Sequence, residues 1–145
     1  MRVLLQRVTS AEVRVSGRVV GAIDSGLLAF VGMERGDDDA TVERMAGRIA
    51  GYRMFADEQG RMNRSVGDVG GSVLLMSQFT LAADTGKGLR PSFSRAAEPQ
   101  EARRLCDALA AGLRDSGLPV AEGEFGADMQ VSLVNDGPVT FLINL

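Results

Sequence analysis

Apolar and polar residues recur along this chain in two rhythms, and the places where one gives way to the other mark out its elements. Positions 2–8 alternate in part, and 11–15 with 18–23 flank Ser16-Gly17, so the chain should open with strands joined by a two-residue hairpin turn. Residues 27–31 form an unbroken apolar run between glycines, the pattern of a strand covered on both faces. After Asp37-Asp38-Asp39 the rhythm changes. Val42, Met45, Ile49 and Tyr52 recur at intervals of three and four, one face of a helix. The three aspartates read as N-terminal caps, which satisfy free amides and suit the helix dipole, in preference to a metal site. Residues 53–55 suggest a short strand before the turn cluster Asp57-Glu58-Gln59-Gly60. A further break at 67–71 precedes a central strand expected over 72–81. A second helix is expected from Pro99, with Ala102, Leu105, Cys106, Leu109 and Leu113 facing inward and Gly117 as its cap. Cys106 lies on that stripe and therefore reads as a packing residue. Segments 120–122, 129–134 and 139–145 complete the sheet. There is no repeat, no low-complexity segment and no linker long enough to divide the chain, so residues 1–145 are expected to form a single domain.

Size and charge narrow the classes. A chain of 145 residues should bury roughly 70% of its unfolded surface, enough for a core without metal or disulfide support. The single cysteine rules out an intrachain disulfide and suits a reducing compartment. Arg2 interrupts what would have to be a signal's apolar stretch, and the run at 27–31 is far short of a membrane span. A soluble cytoplasmic protein without membrane contact is expected. The net charge of −3 argues against a broad grip on nucleic acid, and no DNA partner is expected. Any RNA contact must be local. Residues 84–95 are the candidate, with Lys87, Arg90 and Arg95 against Asp84, the alternative being an ordinary solvated loop.

The chain has no histidine. That removes the usual general base near neutral pH, the Ser-His and Cys-His nucleophile pairs and the common zinc sets. Nor does any carboxylate spacing suggest a two-carboxylate or two-metal site. An enzyme of this composition works with hydroxyls, backbone dipoles or groups of its substrate. Ser77-Gln78-Phe79-Thr80 suits this. Where a strand ends, backbone amides can converge on an oxyanion, each donor contributing ~3–4 kcal/mol. The alternative is that Ser77 and Thr80 merely hydrogen-bond within a sheet. Asn135-Asp136-Gly137-Pro138 also has two readings. Its residues suit a hairpin turn between 129–134 and 139–145. Equally, a Gly-Pro bond adopts the cis form at a cost of only ~0.5–1 kcal/mol, which would present bare carbonyl oxygens able to read the stereochemistry of a small ligand.

Val131-Ser132-Leu133-Val134-Asn135-Asp136-Gly137-Pro138-Val139-Thr140, with Ser77-Gln78-Phe79-Thr80-Leu81 and Gln6-Arg7-Val8, resembles the D-aminoacyl-tRNA deacylases. The resemblance spans the whole chain, with further landmarks at Asp68-Val69-Gly70-Gly71 and Arg90-Pro91-Ser92-Phe93-Ser94. It implies an α/β fold: one domain of mixed and antiparallel β-sheet layers, barrel-like, flanked by two main helices. It implies hydrolysis of the ester joining a D-amino acid, or glycine, to the terminal adenosine of tRNA, with no metal or cofactor. It further implies a homodimer with active sites at the interface, where a Gly-cisPro pair of one subunit enters the other's pocket. Carried over on matching motifs, Gly137 and Pro138 are the chiral selector, and Ser77, Gln78, Phe79 and Thr80 line the catalytic pocket. Phe125 and Met129 lie near the adenine, and Arg7 braces the selector. Either Thr80 acts as nucleophile, or the ribose 2′-hydroxyl assists while amides hold the oxyanion. The second is favoured, since no base adjoins Thr80 in the sequence. A different class of function, a non-catalytic dimeric module that binds a tRNA end, is the alternative.

Overall fold

The alternating first part of the chain folds into three antiparallel strands, as a period of two requires when one face is buried. In a computed structural model describing Met1–Leu145, these are β1 (Arg2–Val15), β2 (Arg18–Ile23) and β3 (Gly26–Gly32). Ser16 and Gly17 form the turn between the first two, with φ of 49° and 77°. β3 pairs with the first half of β1 and β2 with the second half.

Helix α1 (Asp39–Gly51) follows, and its three leading aspartates do three different things. Only Asp38 is the cap, accepting from the Thr41 amide at 2.8 Å and the Thr41 hydroxyl at 2.7 Å. Those hydrogen bonds hold the Asp38 carboxyl below its ordinary range. Asp37 instead takes the Met1 ammonium at 2.7 Å and the Glu34 amide at 2.7 Å, while Asp39 pairs with Arg104 of the second helix at 2.7 Å. The expectation that all three serve as caps is therefore corrected to one. A small hairpin, β4 (Phe55–Ala56) and β5 (Met62–Arg64), closes around Asp57, whose carboxylate accepts from the Gln59 and Arg61 amides.

β6 (Ser72–Ser77) lies parallel to β3 and to β7 (Val120–Glu122), and helix α2 (Pro99–Asp115) crosses between β6 and β7. The sheet is mixed, in the order β2-β1-β3-β6-β7, with the last strand, β8 (Gln130–Asn144), along the other edge of β1. The sheet curls until β2 meets β7. At Gly21 an added Cβ would stand 2.5 Å from the Glu122 carbonyl oxygen, so only hydrogen fits where the two ends approach. The expected fold class, a mixed barrel-like sheet with two main helices, is the one observed. Side chains alternate between two cores. Leu27, Ala29, Val73 and Leu75 face α1 and α2, whose Met45, Ile49, Leu105, Leu109 and Leu113 cover them, while Leu28, Leu74 and Met76 fill the inside of the curl with Val8, Val13 and Ile23. β3 and β6 are unbroken apolar runs because both their faces are buried.

The short strand expected at 53–55 lies at 55–56, and two further elements differ from expectation. The strand expected to reach residue 81 ends at Ser77. Gln78 leaves it with φ −142° and ψ 79°, and Phe79–Ala82 form a 3₁₀ turn. The second difference is larger. Segments 129–134 and 139–145 are halves of one strand, both paired antiparallel with β1 and running in the same direction. Thr140 stands opposite Gln6 and Asn135 opposite Val8, so residues 136–139 face Arg7 alone and form a bulge. A hairpin turn would reverse the chain and is excluded. The Gly137–Pro138 bond within the bulge is cis. Turn propensity loses here because β1 offers a hydrogen-bonding edge to both halves.

Candidate active site

The bottom of the site is β6, buried along most of its length and ending where three parallel strands finish together. The Gln78 amide donates to the Val31 carbonyl at 2.7 Å, which pins the exit from β6 to β3. The amides of Phe79 and Thr80 lead the 3₁₀ turn, and amides in that position have no partner inside the turn. Gln78 Nε2 donates to Thr80 Oγ1 at 2.5 Å, which fixes the carboxamide against the hydroxyl. Ser77 lies beside Cys106 of α2 in the same surface groove. Burial pushes the Cys106 thiol up to about 11, and Ser77 draws it partly back, so Cys106 is a neutral packing group at physiological pH.

A cavity of about 610 Å³ opens above this strand end. Met33, Met76, Ser77, Gln78 and Phe79 make one wall; the start of α2 and the segment bearing Phe125, Met129 and Val131 make the other. Arg35 and Glu98, paired at 2.8 Å, also line it. Phe79, 57% exposed, tilts against Phe93 with ring centroids 5.1 Å apart. Arg103 lies over the Phe125 ring, its guanidinium carbon 5.9 Å from the centroid. Apolar walls with a few polar groups at one end suit an aromatic heterocycle whose reacting end is held by hydrogen bonds. No three His, Cys, Asp or Glu side chains gather into a ligand set anywhere in the chain.

The structure thus brings together Ser77, Gln78, Phe79, Phe125 and Met129, with Thr80 on the turn beside them. Arg7, Gly137 and Pro138 do not line the cavity. They form a second, separate cluster. Arg7 Nε donates to the Asp136 carbonyl at 2.9 Å and pairs with the Asp136 carboxylate at 3.1 Å, while its Nη1 donates to the Met54 carbonyl at 2.6 Å. Asn135 Nδ2 donates to the Arg7 carbonyl at 2.8 Å and the Val139 carbonyl at 3.1 Å, closing the bulge at its base. Gly137 and Pro138 are left exposed at its crest. Asn135 and Met54 were not singled out in the sequence. Asn135 stood inside a turn-like cluster and could have been noticed, but the Met54 carbonyl carries no side-chain signal. Arg35 and Glu98 were likewise unmarked.

Compared with known proteins, residues 4–144 match the family model described as D-Tyr-tRNA(Tyr) deacylase. The chain belongs to that family. With this the family and enzyme class implied by the resemblance both hold. Relatives of the deacylase family include a D-aminoacyl-tRNA deacylase of Alcanivorax borkumensis, 62% identical over 145 residues and covering all of both chains. Another, from Methylococcus capsulatus, is 61% identical over 143 residues, covering 99% of this chain and 94% of its relative. Among solved structures, one named "c-Myc DNA Unwinding Element Binding Protein" superposes with a TM-score of 0.94 at 36% identity, covering 100% of this chain and 99% of the other. A second, described as a probable eukaryotic D-amino acid tRNA deacylase, gives a TM-score of 0.83 at 16% identity over 99% and 98% of the two chains, a likeness of fold.

Proposed function

We propose that this deacylase hydrolyses the ester between a D-amino acid, or glycine, and the terminal adenosine of tRNA while sparing L-aminoacyl-tRNA. It would thus act as a chiral check on translation in the cytoplasm. The observation that carries this reading is the separation of two half-sites. The cavity offers an apolar berth beside the Ser77–Thr80 strand end, whereas Gly137 and Pro138, joined by a cis bond and exposed on the bulge, lie outside its lining.

A homodimer reunites them. β8 is paired on one edge only, and Leu133, Val134 and Leu142 are 36%, 57% and 55% exposed along it. An apolar strand with a free edge is a natural seat for a second copy. In the dimer Gly137 and Pro138 of one subunit enter the partner's pocket, with Arg7 and Asn135 bracing them. Phe125 and Met129 flank the adenine, and a D-side chain points to solvent while an L-side chain would run into the selector carbonyls. Water adds to the ester carbonyl, the amides of Phe79 and Thr80 hold the oxyanion, and the ribose 2′-hydroxyl relays a proton to the departing 3′-oxygen. Thr80 is not the nucleophile in this scheme, because its hydroxyl accepts from Gln78 and has no base beside it.

The test is hydrolysis of D- and L-tyrosyl-tRNA at one enzyme concentration. The D-ester should disappear while the L-ester survives, and Thr80→Ala should keep a substantial part of the rate with no acyl-enzyme trapped. Equal loss of both enantiomers, or survival of both, would sink the proposal; survival of both would also favour the non-catalytic tRNA-end binder. A second reading, recognition of DNA, comes from the name of the 36%-identical neighbour. The net charge of −3 speaks against it, and competition of tRNA with duplex DNA decides between them.

A further inference from the structure

We infer that residues 84–95 are the landing surface for the sugar-phosphate strand that leads the 3′ end of the substrate into the pocket. The inference rests on the reading that the substrate is an aminoacyl-tRNA. Of the cations at the pocket, Arg35 is paired with Glu98 at 2.8 Å and Arg103 is laid over the Phe125 ring. Lys87, Arg90 and Arg95 differ. All three are exposed, and none has a carboxylate within ion-pair distance. The one acid of the segment, Asp84, turns its carboxylate back to its own loop, accepting the Gly86 amide at 2.9 Å.

The loop is also fixed to the pocket. Asp84 and Ser92 exchange backbone hydrogen bonds of 2.7 and 3.0 Å at its base, the Arg35 amide donates to the Arg95 carbonyl at 2.8 Å, and the Ala97 amide to the Met33 carbonyl at 3.0 Å. Phe93 lines the cavity and tilts on Phe79 of the Ser-Gln-Phe-Thr segment. Unpaired cations leading to an exposed aromatic ring are what a single nucleic-acid strand requires: cations follow the phosphates and the ring meets a base. In a chain of net charge −3, three unneutralised cations in one segment also set the direction from which a polyanion approaches.

The experiment compares wild type with K87Q/R90Q/R95Q on two substrates: D-tyrosyl-tRNA, and D-tyrosine esterified to the 3′-oxygen of adenosine, which has no phosphate. For three phosphate contacts on a single strand, raising salt from 50 to 200 mM should raise the wild-type KM for tRNA roughly 20-fold. The triple glutamine variant should lose most of that dependence and start from a KM about tenfold higher or more, with kcat unchanged. On the adenosine ester the two proteins should agree within about twofold. K87R/R90K/R95K, which keeps the charges, should behave like wild type. Anisotropy with fluorescently labelled deacylated tRNA reads the same salt slope without any cleavage, so failure of the deacylase reading and failure of the patch are separable. Unchanged KM and salt slope in the glutamine variant would overturn the inference. So would an equal loss on the adenosine ester, or a shift from dimer to monomer with the salt slope intact, which would assign the loop to a second copy of the chain.

Discussion

Alanine at Gly137 should lower cleavage of D-tyrosyl-tRNA by about a hundredfold or more, while the melting temperature falls by only a few degrees. A Cβ built there lands on Asn135 Oδ1 and stands 2.8 Å from the Val139 amide nitrogen. Neither neighbour can yield without disturbing the bulge, since Asn135 is tied to the Arg7 and Val139 carbonyls. The bulge must therefore shift, and a displacement of about 1 Å at a reacting centre is enough for a loss near 10²-fold. The fold should survive because both halves of β8 keep their pairing with β1. Mixing supplies the decisive measurement. Gly137→Ala subunits retain a pocket, and Ala127→Trp subunits, whose cavity is filled, retain a bulge. If each site draws on two subunits, random exchange should restore about a quarter of wild-type activity from two weak proteins. Activity no greater than the mean of the two would show that each subunit works alone.

Removing the guanidinium of Arg7 should do damage of a different kind. Arg7→Ala is expected to lower the melting temperature by about 4–10 °C, because charge-assisted hydrogen bonds to the Asp136 and Met54 carbonyls disappear at ~1.5–3 kcal/mol each before relaxation. Met54 is fully buried, so its carbonyl has little access to water as a substitute partner. Activity should fall at least tenfold, since the guanidinium is what ties the bulge to the chain beneath it. Arg7→Lys should recover only part of both, as an ammonium cannot span two carbonyls in a planar fork. In the double variant with Gly137→Ala the activity losses should not add, because both changes act on one bulge. Full additivity in kcat/KM, with melting temperature unchanged in Arg7→Ala, would separate Arg7 from Gly137 and Pro138.

Much of the architecture was legible because it is written locally. The covered strand at 27–31 was readable from its short unbroken apolar run and the inward stripe of α2 from its period, since burial on both faces or on one leaves a signature in a single sequence. What was missed depends on distant partners. Residues 135–138 have the composition of a turn, yet β1, more than a hundred positions earlier, holds both flanks in one strand. Asp37 looks like its two neighbours and differs because the Met1 amino group and the Glu34 amide lie beside it. The pocket half of the candidate site could be anticipated from Ser77 to Thr80, which stand together in the chain. Its far wall is assembled from the start of α2 and the segment around Phe125, and the pairing of Arg35 with Glu98 is invisible before folding.

The bulge opposite Arg7 also bears on how the gene can change. Between Gln6 and Val8 stands one residue of β1, against four of β8, and the strands return to pairing on either side. Side chains alternate along a strand, so deleting a single codon here would swap the faces of everything that follows. Val139 and Ile143, now buried, would turn outward, and Leu142, now exposed, would turn in. Codons between Asp84 and Ser92, where one pair of hydrogen bonds closes a surface loop, carry no such parity. The fold should therefore accommodate length changes in that loop that keep Lys87 and Arg90, whereas the stretch from Asn135 to Thr140 keeps its length even where its letters drift.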